Sequence, residues 1–203
     1  MKKYFIEFLG TFFLVLVIGL SANPLAIGAI LMCMVYMGGH LSGAHYNPAV
    51  SLSIFLDQKM SFFDLLMYWI SQIFGGFVAA FTVHLLSKKL LSVLPSASWE
   101  LALPIEILFT LALVLVVLNV ADHPRTEKNS FYGLAVGFTV LAAAFSGGNL
   151  SGGAFNPAVG LGPWLYQMVI GKTIPFHQIW IYVVGPLTGS LLATLIFQFT
   201  KDA

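Results

Sequence analysis

The tetrapeptide Asn-Pro-Ala-Val occurs twice in this chain, at 47–50 and 156–159, and each copy opens an apolar run that ends too soon to cross a bilayer. Asparagine is a preferred N-cap and proline a preferred first helical residue, so both copies read as helix starts. Each copy closes a Gly/Ser-rich stretch, at 38–46 and 146–155. Around them the chain is almost wholly apolar. Of 203 residues 59% are hydrophobic and 8% charged, with a mean hydropathy of +0.92, against about a quarter charged in a soluble domain. Two short helices at matching places in two chain halves point to an intramembrane binding or conduction site.

Six apolar stretches are long enough to span a membrane, at about 4–20, 25–41, 62–86, 101–121, 131–147 and 177–200, with half-length segments at about 47–57 and 156–168. The fold class that follows is an all-α membrane protein of six transmembrane helices and two half-helices. Each half-helix follows the second span of a group of three. Three is odd, so the second group starts from the opposite face and the repeats, about 1–87 and 101–203, are inverted. The whole chain, 1–203, forms one domain. The N-terminal run resembles a secretory leader, but Glu7 and Thr11 within it are echoed by Glu106 and Thr110. A cleaved leader has no reason to be repeated inside the mature chain.

Lys2, Lys3, Lys59, Arg125, Lys128 and Lys201 fall on one face of this topology, and Lys88, Lys89 and Lys172 on the other. Cytoplasmic flanks carry the excess of basic residues, which places both termini in the cytoplasm. Short loops and termini suit a bacterial or archaeal plasma membrane. The net charge of +1 gives no basic face for nucleic acid. Cys33 reads as a small residue at a helix contact, and Gly75, Gly76, Gly133, Gly137, Gly185 and Gly189 as points of close helix approach. Tyr4, Trp99 and Trp180 suit the membrane interface. His84, His123 and His177 are dispersed, no pair of histidines has metal-ligand spacing, and neither a metal nor a cofactor is expected.

Irregular backbone at membrane depth is tolerated only inside protein or along a water-filled cavity. Half-helices entering from opposite faces meet near the midplane with their N-termini together, each worth about half a positive charge. That arrangement opposes cations and protons. The side-chain oxygens of Asn47 and Asn156 cap their own helices, leaving both amide NH2 groups to donate to a molecule in the pore. Extended residues before each asparagine, Gly43, Ala44 and His45 and then Gly152, Gly153 and Ala154, can turn carbonyls toward the lumen. His45 stands at the pore edge, while His40 serves packing. Glu7 and Glu106 are buried acids near the start of their spans. Proton relay is one reading; the other has each accept hydrogen bonds from the irregular loop of its own repeat.

The stretch 39–50, the second copy at 151–158 and the two Glu motifs are similar to those of the aquaporin superfamily, the major intrinsic proteins. The resemblance extends to 72–75 and 184–186 and so covers nearly the whole chain. It implies passive, bidirectional movement of water or small uncharged solutes through a homotetramer with one pore per subunit. It assigns the pore motifs to Asn47, Pro48, Ala49, Asn156, Pro157 and Ala158.

The resemblance also implies an outer constriction built from Ile27, Ala144, Gly153 and Val159. Members of the family usually carry Arg where this chain has Val159. Loss of that Arg widens and neutralises the entrance, and some plant vacuolar members with Val at the same place are permissive toward small solutes. The expectation is a broad neutral-solute pore, passing water with candidates such as ammonia, urea, hydrogen peroxide or glycerol. A proton-coupled secondary transporter is the main rival, since it too uses inverted repeats and broken helices. A non-conducting structural membrane protein is the second. No nucleophile–base pair or phosphate-binding loop suggests an enzyme.

Overall fold

A computed structural model describes residues 1–126, 128–172 and 179–202. Six long helices, α1 (Lys2–Ser21), α2 (Pro24–Ser42), α4 (Phe62–Ser87), α5 (Trp99–Val117), α6 (Tyr132–Ser151) and α8 (Ile181–Thr200), surround two short ones, α3 (Pro48–Leu56) and α7 (Pro157–Val169). The six long helices are apolar and long enough to cross a membrane. A single π-helical turn, Leu118–Asp122, prolongs α5. The sixth span was expected from 177; residues 173–178, and His177 with them, lie outside the described residues.

Local chemistry sets the helix ends. Asn23 caps α2, its Oδ1 accepting from Leu25 N at 2.9 Å with Pro24 in the first turn. Ser61 caps α4 by accepting from Asp64 N at 3.1 Å. Ala22 and Lys88 end α1 and α4 in the left-handed region, at φ 49° and 60°. Both Gly/Ser-rich stretches are more helical than expected: α2 runs to Ser42 and α6 to Ser151, leaving only short irregular segments before each asparagine.

The helices pack in matched pairs, α1 with α4 and α5 with α8, while α2 and α6 face each other across the repeats. α7 lies against α4, and α3 against α8. Glycines permit these approaches. A Cβ on Gly75 would stand 2.5 Å from Phe8 O, and one on Gly189 would stand 2.5 Å from Ile107 O. Gly28 and Gly137 form a reciprocal contact between α2 and α6, where a Cβ on either would reach the other's carbonyl at 2.6 or 2.5 Å. Within lipid such packing, rather than apolar burial, holds helices together. Cys33 departs from expectation: it is exposed on α2, on a different face from the buried Gly28, Leu31 and Val35.

Three lysines near helix ends, Lys3, Lys59 and Lys201, make ion pairs at the basic end of the bundle. There Lys3 pairs with Asp64 at 2.8 Å, and Lys59 bridges Asp122 at 2.7 Å and Asp57 at 3.2 Å. Lys201, at the end of α8, reaches Asp57 at 3.3 Å. These contacts tie the end of α3 to the α5–α6 connection and to the C-terminal segment.

Candidate functional site

Asn47 and Asn156 begin α3 and α7 with the same geometry. Each Oδ1 accepts from the backbone N–H two residues on, Ala49 and Ala158, at 2.9 Å. The amide nitrogens do something the sequence did not suggest. Asn47 Nδ2 donates to Phe155 O at 2.9 Å, and Asn156 Nδ2 donates to Tyr46 O at 2.8 Å. One hydrogen of each NH2 is therefore spent on the opposite loop, and one remains on each side chain. The two half-helices are stitched N-terminus to N-terminus.

The loops that deliver these asparagines are strained. Ala44, Tyr46 and Phe155 have φ of 51°, 50° and 48°, beside Gly43, Gly152 and Gly153 at 85°, 91° and 67°. Non-glycine residues in this region persist only where surroundings over-determine them. Here the surroundings are the two buried glutamates. Glu7 Oε1 accepts from Ser42 Oγ at 2.7 Å and His45 N at 3.0 Å; its Oε2 accepts from Tyr46 N at 2.7 Å and Gln72 Nε2 at 2.8 Å. Glu106 Oε1 accepts from Ser151 Oγ at 2.7 Å and Ala154 N at 3.1 Å, and its Oε2 from Phe155 N at 2.6 Å. Two tyrosines complete the brace: Tyr68 OH donates to Ser42 O at 2.7 Å and Tyr182 OH to Ser151 O at 2.6 Å.

A cavity of about 670 Å³ runs past both asparagines. At one end it is lined by Ala22, Pro24 and the α4–α5 connection at Leu91, Ser92, Val93 and Leu94; at the other by Thr126, Lys128 and Asn129. These connections lie at opposite ends of the helix bundle. Ile27, Ala144, Gly153 and Val159 all line this cavity, as do Gly43, Ala44, His45, Gly152, Ala154 and both asparagines. Pro48, Ala49, Pro157 and Ala158 do not line it and are buried in helix packing, where Ser190 Oγ donates to Ala49 O at 2.6 Å and Trp69 Nε1 to Pro48 O at 2.9 Å. Glu7 and Glu106, both 0% exposed, stand behind the loops rather than in the lumen.

His45 lines the cavity with Nδ1 3.1 Å from Ser51 Oγ and its ring against Tyr68; His40 is exposed and does not line it. Gln72, which ties Glu7 to Ser51 (2.9 Å), and the cavity-lining segment 91–94 were not identified from sequence as parts of the site. For Gln72 the signal was its place three residues before Gly75. For 91–94 there was none, since a loop's path depends on partners distant in sequence.

The family model for "Major intrinsic protein" matches residues 1–197. This chain belongs to the major intrinsic protein family. Over 178 residues it is 33% identical to a "Probable aquaporin NIP4-2" of Arabidopsis thaliana, covering 86% of this chain and 60% of that protein. It thus spans about 60% of the length of that plant relative. It is 34% identical to "Glycerol uptake facilitator protein-like 6" of Lactiplantibacillus plantarum, with 95% of each chain covered. Among solved structures it superposes on the aquaglyceroporin from Plasmodium falciparum with a TM-score of 0.86 and 28% identity, covering 98% of this chain and 96% of that one. The arrangement of six apolar helices and two half-helices is therefore the major intrinsic protein fold, and the chain is a multi-pass integral membrane protein.

Proposed function

We propose that the protein is a passive channel for water and small uncharged solutes, with both termini in the cytoplasm and one pore in each subunit of a homotetramer. The observation that carries this reading is the cavity that passes both capped asparagines and is lined by residues from both ends of the bundle. Half-helix N-termini present positive ends to the lumen, as is general for aquaporin-type pores, and disfavour cations and protons there. The free amide hydrogen of each asparagine offers a donor to a solute oxygen at the same level. A water held by two such donors turns its own hydrogens away, interrupting a proton wire.

The constriction at Ile27, Ala144, Gly153 and Val159 carries no charge and no aromatic ring. It favours a permissive filter passing water together with ammonia, urea, hydrogen peroxide or glycerol over a strict water filter. The relatives named as aquaporins and as a glycerol uptake facilitator support that range. A proton-coupled transporter needs an acid that exchanges protons with the lumen. Glu7 is instead engaged by four donors behind its loop, which favours a brace. Stopped-flow measurement of proteoliposome volume, with water, urea, glycerol and hydrogen peroxide in turn, tests the reading. Permeabilities no higher than those of empty liposomes for all four would overturn it.

A further inference from the structure

The connection between α4 and α5 lines one end of the cavity, and a buried amide fixes its position. Gln167 of α7 is 4% exposed. Its Nε2 donates to Leu91 O at 2.7 Å and to Ser92 Oγ at 2.8 Å, which uses both amide hydrogens. The strap is held again further on, where Ser96 Oγ donates to Asn149 O at 2.5 Å and Leu150 O accepts from Ser96 N and Ala97 N at 3.1 Å. Between these anchors Val93 is buried, and Leu94 O lies 2.8 Å from where a Cβ on Gly152 would stand. The strap is thus fitted against the second pore loop.

A serine hydroxyl has one proton and two lone pairs. Gln167 occupies a lone pair of Ser92, which leaves the hydroxyl proton to donate. Ser92 is exposed and lines the cavity at the end shared with Ile27, Ala144 and Val159, none of which carries a polar side chain. Asn149 also lines the cavity, but of the two polar side chains it is Ser92's that a buried group holds. We propose that Ser92, oriented by Gln167, is a specificity-determining donor of the outer constriction. It hydrogen-bonds a solute acceptor atom, such as the carbonyl oxygen of a small amide or the hydroxyl of a polyol, while the solute sheds water against apolar walls. Gln167 is the positioning residue. The inference rests on the channel reading above and names a residue of that filter.

Water and solute permeabilities of Ser92→Ala, Ser92→Thr and Gln167→Met in proteoliposomes test it, each expressed as a ratio to water in the same vesicles. Using whichever of urea and glycerol the wild type passes, Ser92→Ala should lower the ratio by about 3- to 10-fold, the worth of one hydrogen bond. Ser92→Thr should restore it, and Gln167→Met should fall with Ser92→Ala. Ser92 is exposed, so its truncation opens no cavity in the core; it does free one hydrogen of the Gln167 amide, and an unchanged water permeability in Ser92→Ala shows that the strap has kept its place. A wild type permeable to either solute with an unchanged ratio in Ser92→Ala overturns this inference alone. A wild type that passes water but neither solute also overturns it. Vesicles no more permeable than empty ones to water and to both solutes overturn the channel reading with it.

Discussion

Gln72 donates to Glu7 across the interface of α4 and α1, at 2.8 Å, and among the described residues the second repeat has no counterpart to that bond. Gln72 stands three residues before Gly75; three residues before the corresponding Gly189 stands Pro186. Glu7 consequently accepts four hydrogen bonds and Glu106 three among the described residues. The first pore loop is tied to three helices through its acid, α1, α2 and α4, whereas the second is tied to α5 and α6.

Replacing Gln72 by leucine keeps the approximate shape and removes a donor to a carboxylate. A hydrogen bond to a charged group contributes about 1.5–3 kcal/mol. Loss of Gln72 Oε1, which has no hydrogen-bond partner among the described residues, offsets part of that. Gln72→Leu should lower the apparent melting temperature of the protein purified in detergent, and an unchanged melting curve would remove Gln72 from the brace.

Val159 is 2% exposed and lines the cavity. Val159→Arg places fixed donors and a positive charge at the constriction. Water flux in proteoliposomes should stay level or fall, while urea and glycerol flux should fall more steeply. If every permeability changes in the same proportion, Val159 does not set the filter.

The cross-loop amides give a sharper substitution than truncation does. Asn156→Asp retains an oxygen to cap α7 but sets a second oxygen against Tyr46 O, losing the donor at 2.8 Å and adding negative charge where two helix N-termini meet. The expected result is weaker exclusion of cations, read as potassium-driven acidification or alkalinisation in vesicles loaded with a pH-sensitive dye. An ion leak equal to that of the wild type would count against the half-helices as the charge barrier.

Charge at the basic end of the bundle gives a pH-dependent contribution. Burial pushes the Asp57 carboxyl up, but hydrogen bonds from Lys59 and Lys201 outweigh it and hold the group below its ordinary 3.8. Burial pushes Lys59 down, while Asp122 and Asp57 raise it above its ordinary 10.5. A depressed acid contributes stability above its unfolded value, lost as pH falls through the folded one; a raised base contributes below its unfolded value, lost as pH rises through the folded one. The melting-temperature gap between wild type and Asp57→Asn should therefore be full between about pH 5 and 9 and shrink beyond both limits. A gap that does not vary with pH would show that Asp57 acts through packing instead.

The half-helices were legible because Asn-Pro is a local signal: the cap and the first turn are satisfied within a few residues. The ends of α2 and α6 were not. Glycine in a helix lowers the local signal whatever its purpose, and at Gly147 the purpose is contact, since a Cβ there would stand 2.6 Å from Ile105 Cγ2. At Gly148 nothing lies within 4 Å of such a Cβ, and the residue lines the cavity. The stretch that looked like loop is helix kept narrow on two sides. The bonds of Gln167 and the paired asparagine amides were illegible for another reason: they join residues brought together only once both repeats are packed.

The reciprocal bonds of Asn47 and Asn156 bear on how the protein is made. A nascent chain that has delivered only α1 to α4 carries an Asn47 amide and a Tyr46 carbonyl whose partners have not been synthesised. In the bilayer interior no solvent stands in for them. Each half is thus an incomplete product until the other arrives, and the two pore loops can be joined only once both have been made.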